Sequence, residues 1–313
     1  MSSLSDLMGG PPPLPAPVPG ETFELRDPRA GGIRMYVAGP AGPASSVEPP
    51  LLVIHSVNAA ASAIETLPIY EHGAKSRRTY ALDLPGFGLS ERSDRRYDPR
   101  LMTDAILAAI AAIQERQPGA RIDALALSLS CEFLARAARD RPDAFRSLAL
   151  VSPTGFSGSA PREEPEGSTA AMPWFHRIVA WPGWSDALFR TLTRPSVVRY
   201  FLERTWGRKE IDERVWEYAV ATAKVPGAKH APLYFLSGHL FSTDVGRVYR
   251  ALTLPVWMCH GVRGDFVDYR GAKAVADAGN WQTTVFETGA LPHFEVPDAF
   301  LASLDAFLAV AVP

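Results

Sequence analysis

The residue best placed to do chemistry is Ser128, in the run Ala126-Leu127-Ser128-Leu129-Ser130-Cys131. A buried-strand pattern, Ala124-Leu125-Ala126-Leu127, ends just before it, and a helical pattern from Cys131 to Asp140 begins just after. A serine on so tight a strand-to-helix turn has its hydroxyl pushed out over the sheet, and the residues two places to either side must be small because strand and helix nearly touch there. Ala126 and Ser130 hold those places, where the usual G-x-S-x-G pattern has glycine. Read alone, the string also fits a serine capping a helix N-terminus. Ser130 is a competing nucleophile, but centring the turn on it would put Glu132 where a small residue is needed. The chemistry on offer is attack by an activated hydroxyl, which requires a base to take its proton.

Other reactive residue types show less. His72, His176, His230 and His239 have no metal-ligand spacing with one another, and His55 and His260 end strands, where bonds to backbone are expected. His230 and His239 fall late in the strandless interval and are minor candidates for reaching a substrate. Cys131 and Cys259 lie in apolar runs with no C-x-x-C spacing, so buried reduced thiols are expected. Gly86-Phe87-Gly88 is too short for a nucleotide fingerprint. Neither a metal nor a cofactor is called for.

The elements that must position Ser128 alternate strand with helix. Phe23-Glu24-Leu25 and Ile33 to Val37 alternate in polarity about Gly31 and Gly32 and read as two antiparallel strands. Short all-apolar runs follow at Leu51 to Ile54, Tyr80 to Leu82, Ala124 to Leu127, Leu148 to Val151, Val256 to Cys259 and Thr284 to Phe286, the pattern of strands buried on both faces of a parallel sheet. Helical patterns separate most of them, notably Leu101 to Gln117, Cys131 to Asp140, Tyr269 to Ala278 and Asp298 to Val310. The predicted class is therefore α/β, a mostly parallel eight-stranded sheet flanked by helices.

Between Val151 and Val256 no strand signal appears. Amphipathic helices are predicted around Trp174 to Trp184, Ser185 to Arg194, Val197 to Trp206 and Ile211 to Thr222, and five of the seven tryptophans sit in this interval. An apolar helical insertion after a strand end reads as a cap over a site, because ligands of open α/β sheets bind at the carboxyl ends of strands. Most of these tryptophans are expected to pack cap against core, with one or two reaching a substrate cavity. The predicted organisation is a mobile Pro-rich arm over residues 1–20, a core over 21–156 and 251–313, and a helical cap over 157–250.

With 313 residues, 47% of them apolar, the chain has ample material for one large core without disulfides or metals. A net charge of -2 without basic blocks offers no footprint for nucleic acid or a membrane surface. The N-terminus lacks a secretory pattern, and no apolar run approaches the roughly 20 residues that span a bilayer. A cytoplasmic protein acting on a small hydrophobic molecule is the expectation.

A second signal stands at Val53-Ile54-His55-Ser56-Val57-Asn58, at the end of an earlier buried strand, and a third at Asp83-Leu84-Pro85-Gly86-Phe87-Gly88-Leu89-Ser90. Pro153-Thr154-Gly155 follows the sixth strand, His260-Gly261-Val262-Arg263-Gly264-Asp265 the seventh, and Gly289-Ala290-Leu291-Pro292-His293-Phe294-Glu295 the eighth. Together these residues, from about Phe23 to Leu308, resemble the α/β-hydrolase superfamily in its compact bacterial esterase and lactonase-like branch. His55-Ser56 stands where that branch has His-Gly. The resemblance implies an α/β-hydrolase fold with an inserted helical cap and a triad in chain order Ser, Asp, His. It makes Ser128 the nucleophile, Asp265 the acid with Asp268, three residues on, as the alternative, and His293 the base. It also implies an oxyanion hole from the backbone N–H groups of Val57 and Leu129. The implied activity is cofactor-independent cleavage of an ester, thioester or lactone through an acyl-enzyme. A carbon–carbon bond hydrolase or a haloperoxidase would use the same triad, and a non-catalytic binding protein would keep the fold without it.

Overall fold

The computed structural model describes residues 14–40, 48–158, 163–265 and 268–311. The chain opens with a hairpin of β1 (Glu21–Asp27) and β2 (Gly31–Ala38), antiparallel with Asp27 opposite Gly31. It then alternates through β3 (Leu51–Ile54), α1 (Leu67–Gly73), β4 (Thr79–Leu82), α2 (Pro99–Arg116), β5 (Ile122–Leu127), α3 (Ser130–Asp140) and β6 (Phe145–Val151). The helices α4 (Pro173–Val179), α5 (Ser185–Leu192), α6 (Pro195–Trp206), α7 (Glu213–Thr222), α8 (His230–Leu236) and α9 (Val245–Arg250) follow with no strand between them among the described residues. β7 (Val256–His260), α10 (Lys273–Ala276), β8 (Trp281–Val285), α11 (Pro292–Glu295) and α12 (Pro297–Val310) complete it.

The strands make one eight-stranded sheet in the order β1-β2-β4-β3-β5-β6-β7-β8. β2 runs antiparallel to β1 and β4, and β3 to β8 are parallel throughout. Chain progression reverses at β3, which has β4 on one side and β5 on the other. Such a switch point is where an open α/β sheet leaves a crevice beyond the carboxyl ends of its strands. The segments that emerge there are His55 to Asn58 after β3 and Ser128 after β5.

Period-two alternation divides the core between the two faces of the sheet. Leu52, Ile54, Ala124, Ala126, Leu148, Leu150, Val256 and Met258 face α2, α3 and the end of the cap. Their neighbours Leu51, Val53, Leu125, Leu127, Ala149, Val151, Trp257 and Cys259 face α1 and α12. On α12, Phe300, Leu304 and Phe307 recur at helical spacing and are buried against that second face, each stabilising the fold by roughly 1.5–3 kcal/mol.

The inserted helices are bolted to the core by polar groups. Arg136 on α3 forms a buried ion pair with Asp244 at 2.7 Å and donates to the Ser242 hydroxyl. Glu132, fully enclosed, accepts from the Thr154 hydroxyl and from the Ser242 N–H at 2.9 Å. Arg92, beside the β4 turn, reaches the carbonyl and hydroxyl of Thr222 at the end of α7.

Three sequence expectations change. Residues 1–13 of the expected mobile arm lie outside the described residues, but residues 14–20 are packed: Val18 is buried, and the hydroxyls of Tyr218 and Tyr70 donate to the carbonyls of Pro15 and Pro19. Proline lacks an N–H but keeps its carbonyl, so an extended segment can be held by side-chain donors. The helix expected over Tyr269 to Ala278 shortens to a 3-10 turn at Arg270–Ala272, closed by the Ala272 N–H on the Tyr269 carbonyl, followed by α10. Of the five tryptophans, most of them expected to pack cap against core, only Trp206 is buried, while Trp174, Trp181 and Trp184 are 64%, 57% and 49% exposed. Among the described residues no helix is long and apolar enough to cross a membrane.

Candidate active site

Ser128 occupies the turn between β5 and α3 with φ of 52°, a left-handed conformation that costs an ordinary side chain of order 1 kcal/mol. The surroundings enforce it. Its N–H donates to the Val151 carbonyl at 2.8 Å, its carbonyl accepts from Cys131 at 3.1 Å, and α3 begins two residues later. Ala126 permits the close approach, its carbonyl lying 3.2 Å from the Cys131 Sγ. Ser128 is half-buried, whereas Ser130 is fully enclosed and donates its hydroxyl to the His55 carbonyl at 2.6 Å. Ser130 thus ties the start of α3 to the loop after β3 and has no hydroxyl to offer a substrate.

That loop is held from within. His55 Nδ1 bonds the Ser56 carbonyl while its Nε2 accepts from the Leu84 N–H at 2.9 Å, which fixes the Nδ1–H tautomer. The buried Glu65 carboxylate accepts from the Ser56 N–H at 2.8 Å and from the Asn58 amide at 2.7 Å. Among the described residues the N–H groups of Val57 and Leu129 make no hydrogen bond, so both remain available as donors. Glu65 was not singled out from the sequence, and Asn58 entered only as the last residue of the run after β3. The signal available was a lone carboxylate directly after the small and apolar stretch Ala59 to Ile64, seven residues after an asparagine.

His293 follows β8 as expected and is fully buried, packed on the rings of Phe294 and Phe300. Its Nε2 lies 2.8 Å from the Glu65 carbonyl. A carbonyl can only accept, so Nε2 carries the proton and Nδ1 holds the basic lone pair, which has no partner in the protein. Burial pushes the imidazole down to about 4, so it is neutral near pH 7. No hydrogen bond joins His293 to Ser128 among the described residues.

The expected acid is elsewhere. Asp265 does not meet His293: both its oxygens are held by Arg204 of α6, at 2.6 and 2.7 Å, which keeps its carboxyl below the usual range. Asp268 makes no hydrogen bond to His293 among the described residues either, being engaged by Arg270 and the Gly158 N–H. The physical reason is the C-terminal turn of α6, which grips both loops. The Arg204 carbonyl accepts from the Asp265 N–H at 3.1 Å, and the Thr205 carbonyl accepts from the Ala290 N–H at 2.8 Å. Only glycines allow this approach, since a Cβ on Gly264 or Gly289 would lie 2.3 Å from the carbonyl oxygen of Arg204 or Trp206. A surface cavity of about 410 Å³ is lined in part by Arg204, Gly207, Gly264 and Asp265, and neither Ser128 nor His293 lines it.

A second strained serine supports the site. Ser152, at the end of β6 with φ of 49°, donates its N–H to the Cys259 carbonyl and its hydroxyl to the Ala290 carbonyl, both within 2.8 Å. It thereby fixes the loop that carries His293. The remaining histidines have other partners: His260 stacks on Tyr269 and bonds the Gly261 carbonyl, and His239 is buried beside Ser237. His230 lies 3.4 Å from Asp94. Among the described residues no group of His, Cys, Asp or Glu is arranged to hold a metal ion.

A family model described as the alpha/beta hydrolase family matches residues 51–303. Among solved structures, 2-hydroxy-6-oxo-6-phenylhexa-2,4-dienoate hydrolase from Rhodococcus sp. strain RHA1 is similar with a TM-score of 0.68 and 17% identity, over 93% of this chain and 99% of that one. Carboxylesterase CesB from Bacillus subtilis is similar with a TM-score of 0.64 and 15% identity, over 93% and 92%. A serine hydrolase involved in carbazole degradation, CarC, is similar with a TM-score of 0.66 and 16% identity, over 93% and all of that chain. No curated protein matches the sequence. At these identities the solved structures speak to the fold, and the matched motifs, strand order and position of Ser128 speak with them: the chain belongs to the alpha/beta hydrolase family.

Proposed function

We propose that the chain is a serine hydrolase that cleaves an ester, thioester or lactone of a hydrophobic small molecule through an acyl-enzyme on Ser128. The observation that carries the reading is the left-handed Ser128 at the mouth of the switch-point crevice, beside two unengaged backbone donors. Strain of this kind persists where surrounding structure over-determines it, and it lifts the hydroxyl clear of the sheet. His293 enters as a neutral base, with Nδ1 as the nitrogen able to accept the Ser128 proton once the ring turns toward it. The Ser128 Oγ bonds to the acyl carbon, and the carbonyl oxygen takes negative charge between the Val57 and Leu129 N–H groups. Each such donor is worth roughly 2.7–4 kcal/mol in a transition state of this type. Collapse expels the leaving group, which takes the proton from His293, and water repeats the sequence to free the acid. A hydrophobic substrate is supported by the core cluster that joins Val57, Phe87 and Leu129 to the cap residues Ala231, Leu240 and Val245.

A second reading, a binding protein on the same fold, is favoured by one observation: His293 Nε2 and both oxygens of Asp265 are engaged by groups outside the expected triad. A fluorophosphonate probe separates the two. Covalent labelling of wild type, mapped to Ser128 and abolished in Ser128→Ala, supports the hydrolase. Folded protein that takes no label refutes it.

A further inference from the structure

The exposed tryptophans of the cap share one face. Trp174 and Ile178 stand one helical turn apart on α4, Met172 precedes them, and Val179 on the opposite side is buried. Trp181 and Trp184 lie in the turn to α5 with ring centroids 6.2 Å apart. The turn is stiff. Pro182 lies within it, the Trp184 Nε1 donates to the Ile178 carbonyl at 2.8 Å, and the Trp181 carbonyl accepts from Trp184 and Ser185. Large aromatic rings held rigidly in solvent mark a surface made for contact, and Met172, Trp174, Ile178, Trp181 and Trp184 make up five of the eleven large apolar side chains exposed among the described residues.

Charge selects the contact. Between residues 172 and 194 the cations are Arg177, Arg190 and Arg194, all exposed and none in an ion pair among the described residues. Asp186, the only acid in that span, is neutralised by Lys229 at 2.7 Å. The face is cationic on a chain whose net charge is -2. A second copy is a poor occupant, because a two-fold interface would set this patch, with its three arginines, against the same cationic patch. Amphipathic helices with tryptophan on the apolar side and arginine on the flank match the headgroup region of an anionic bilayer, where indole rings settle and cations meet lipid phosphate.

We infer that the α4–α5 corner of the cap docks the protein on an anionic lipid surface, with Trp174, Ile178, Trp181 and Trp184 entering the headgroup layer and Arg177, Arg190 and Arg194 pairing with acidic lipid. The whole-chain charge balance, which argued against a membrane partner, averages this patch away. The inference stands apart from the proposed catalytic chemistry.

The test is co-sedimentation of the full chain with vesicles of phosphatidylcholine alone or mixed with phosphatidylglycerol, read together with tryptophan emission. Wild type should bind the mixed vesicles with a blue shift, more tightly than neutral ones by about fivefold per engaged cation at low salt, and high salt should erase that difference. A Trp174→Ser, Trp181→Ser, Trp184→Ser variant, altered only at exposed positions, should keep its circular dichroism and lose at least about tenfold in partitioning. Failure of wild type to sediment with either vesicle overturns the inference, as does unchanged binding by the variant. Self-association through the same tryptophans without vesicle binding, seen by sedimentation velocity, overturns it in favour of a second copy.

Discussion

His293 makes a quantitative test of the site. Its ring is fully enclosed by Phe294, Phe300 and the Glu65 carbonyl, and burial lowers its pKa from 6.5 to about 4, the carbonyl bond offsetting part of the shift. In the unfolded chain the imidazole takes a proton near 6.5. Between pH 6.5 and 4 the unfolded state therefore binds the proton that the folded state refuses, and stability falls as pH falls. About 2.5 pK units at 1.36 kcal/mol each give a loss of about 3 kcal/mol across that window. His293→Gln keeps a donor for the Glu65 carbonyl and removes the titration. Urea unfolding of wild type and variant from pH 4 to pH 7.5 should show their difference in stability changing by about 3 kcal/mol, with contributions from other groups cancelling. Parallel curves would refute the burial argument. The reaction offers an independent check: a base neutral at pH 5.5 should label Ser128 with fluorophosphonate as fast there as at pH 7, and a fall centred on 6.5 would contradict the structure.

Three further outcomes follow from neighbouring groups. Ser128→Gly should abolish labelling yet raise stability by about 1 kcal/mol in urea unfolding, because glycine accepts φ of 52° without strain. Glu132, raised to about 7 by burial, holds a proton in the folded state that the unfolded chain releases above 4.5, so stability declines by about 3 kcal/mol from pH 4.5 to 7; Glu132→Gln should flatten that decline in the same assay. Arg204→Gln should leave the melting temperature close to wild type while freeing Asp265. If the freed carboxylate reaches His293, the acid limb of Ser128 labelling moves to higher pH, and an unmoved limb shows that Asp265 does not act on the base.

Much of the framework was legible because it follows from local pattern. Strands buried on both faces show as unbroken apolar runs, and β3, β4, β5 and β7 stand within two residues of where those runs placed them. The turn at Ser128 was legible for the same reason, since a strand pattern and a helix pattern met with no room between them. What escaped depended on contacts between distant segments. Glu65 is one carboxylate among many until the fold brings it against Ser56, Asn58 and His293. Asp265 looked like an acid because its loop position suited one, but the Arg204 that takes it lies 61 residues earlier, in a helix whose docking no local pattern reports. The tryptophans escaped for a third reason: helical periodicity identifies an apolar face without saying whether protein covers it.

The placement of α6 explains why cap and chemistry cannot be treated separately. The carbonyls of Arg204 and Thr205 lie in the last turn of a helix, where that of Thr205 would otherwise lack a donor and that of Arg204 would have only the Gly207 N–H. Here they are satisfied by the N–H groups of Asp265 and Ala290, one from the loop after β7 and one from the loop that carries His293. The same turn supplies the guanidinium that holds Asp265, and Trp206, buried against Phe294, anchors it beneath. A movement of α6 away from the sheet would therefore release the carboxylate and loosen the histidine loop together. Gly264 and Gly289, the positions where a side chain would block that helix end, make this contact a condition of the fold. The end of α6 thus ties the loop after β7 to the loop that carries His293, so the two loops hold their positions through one helix from the inserted region.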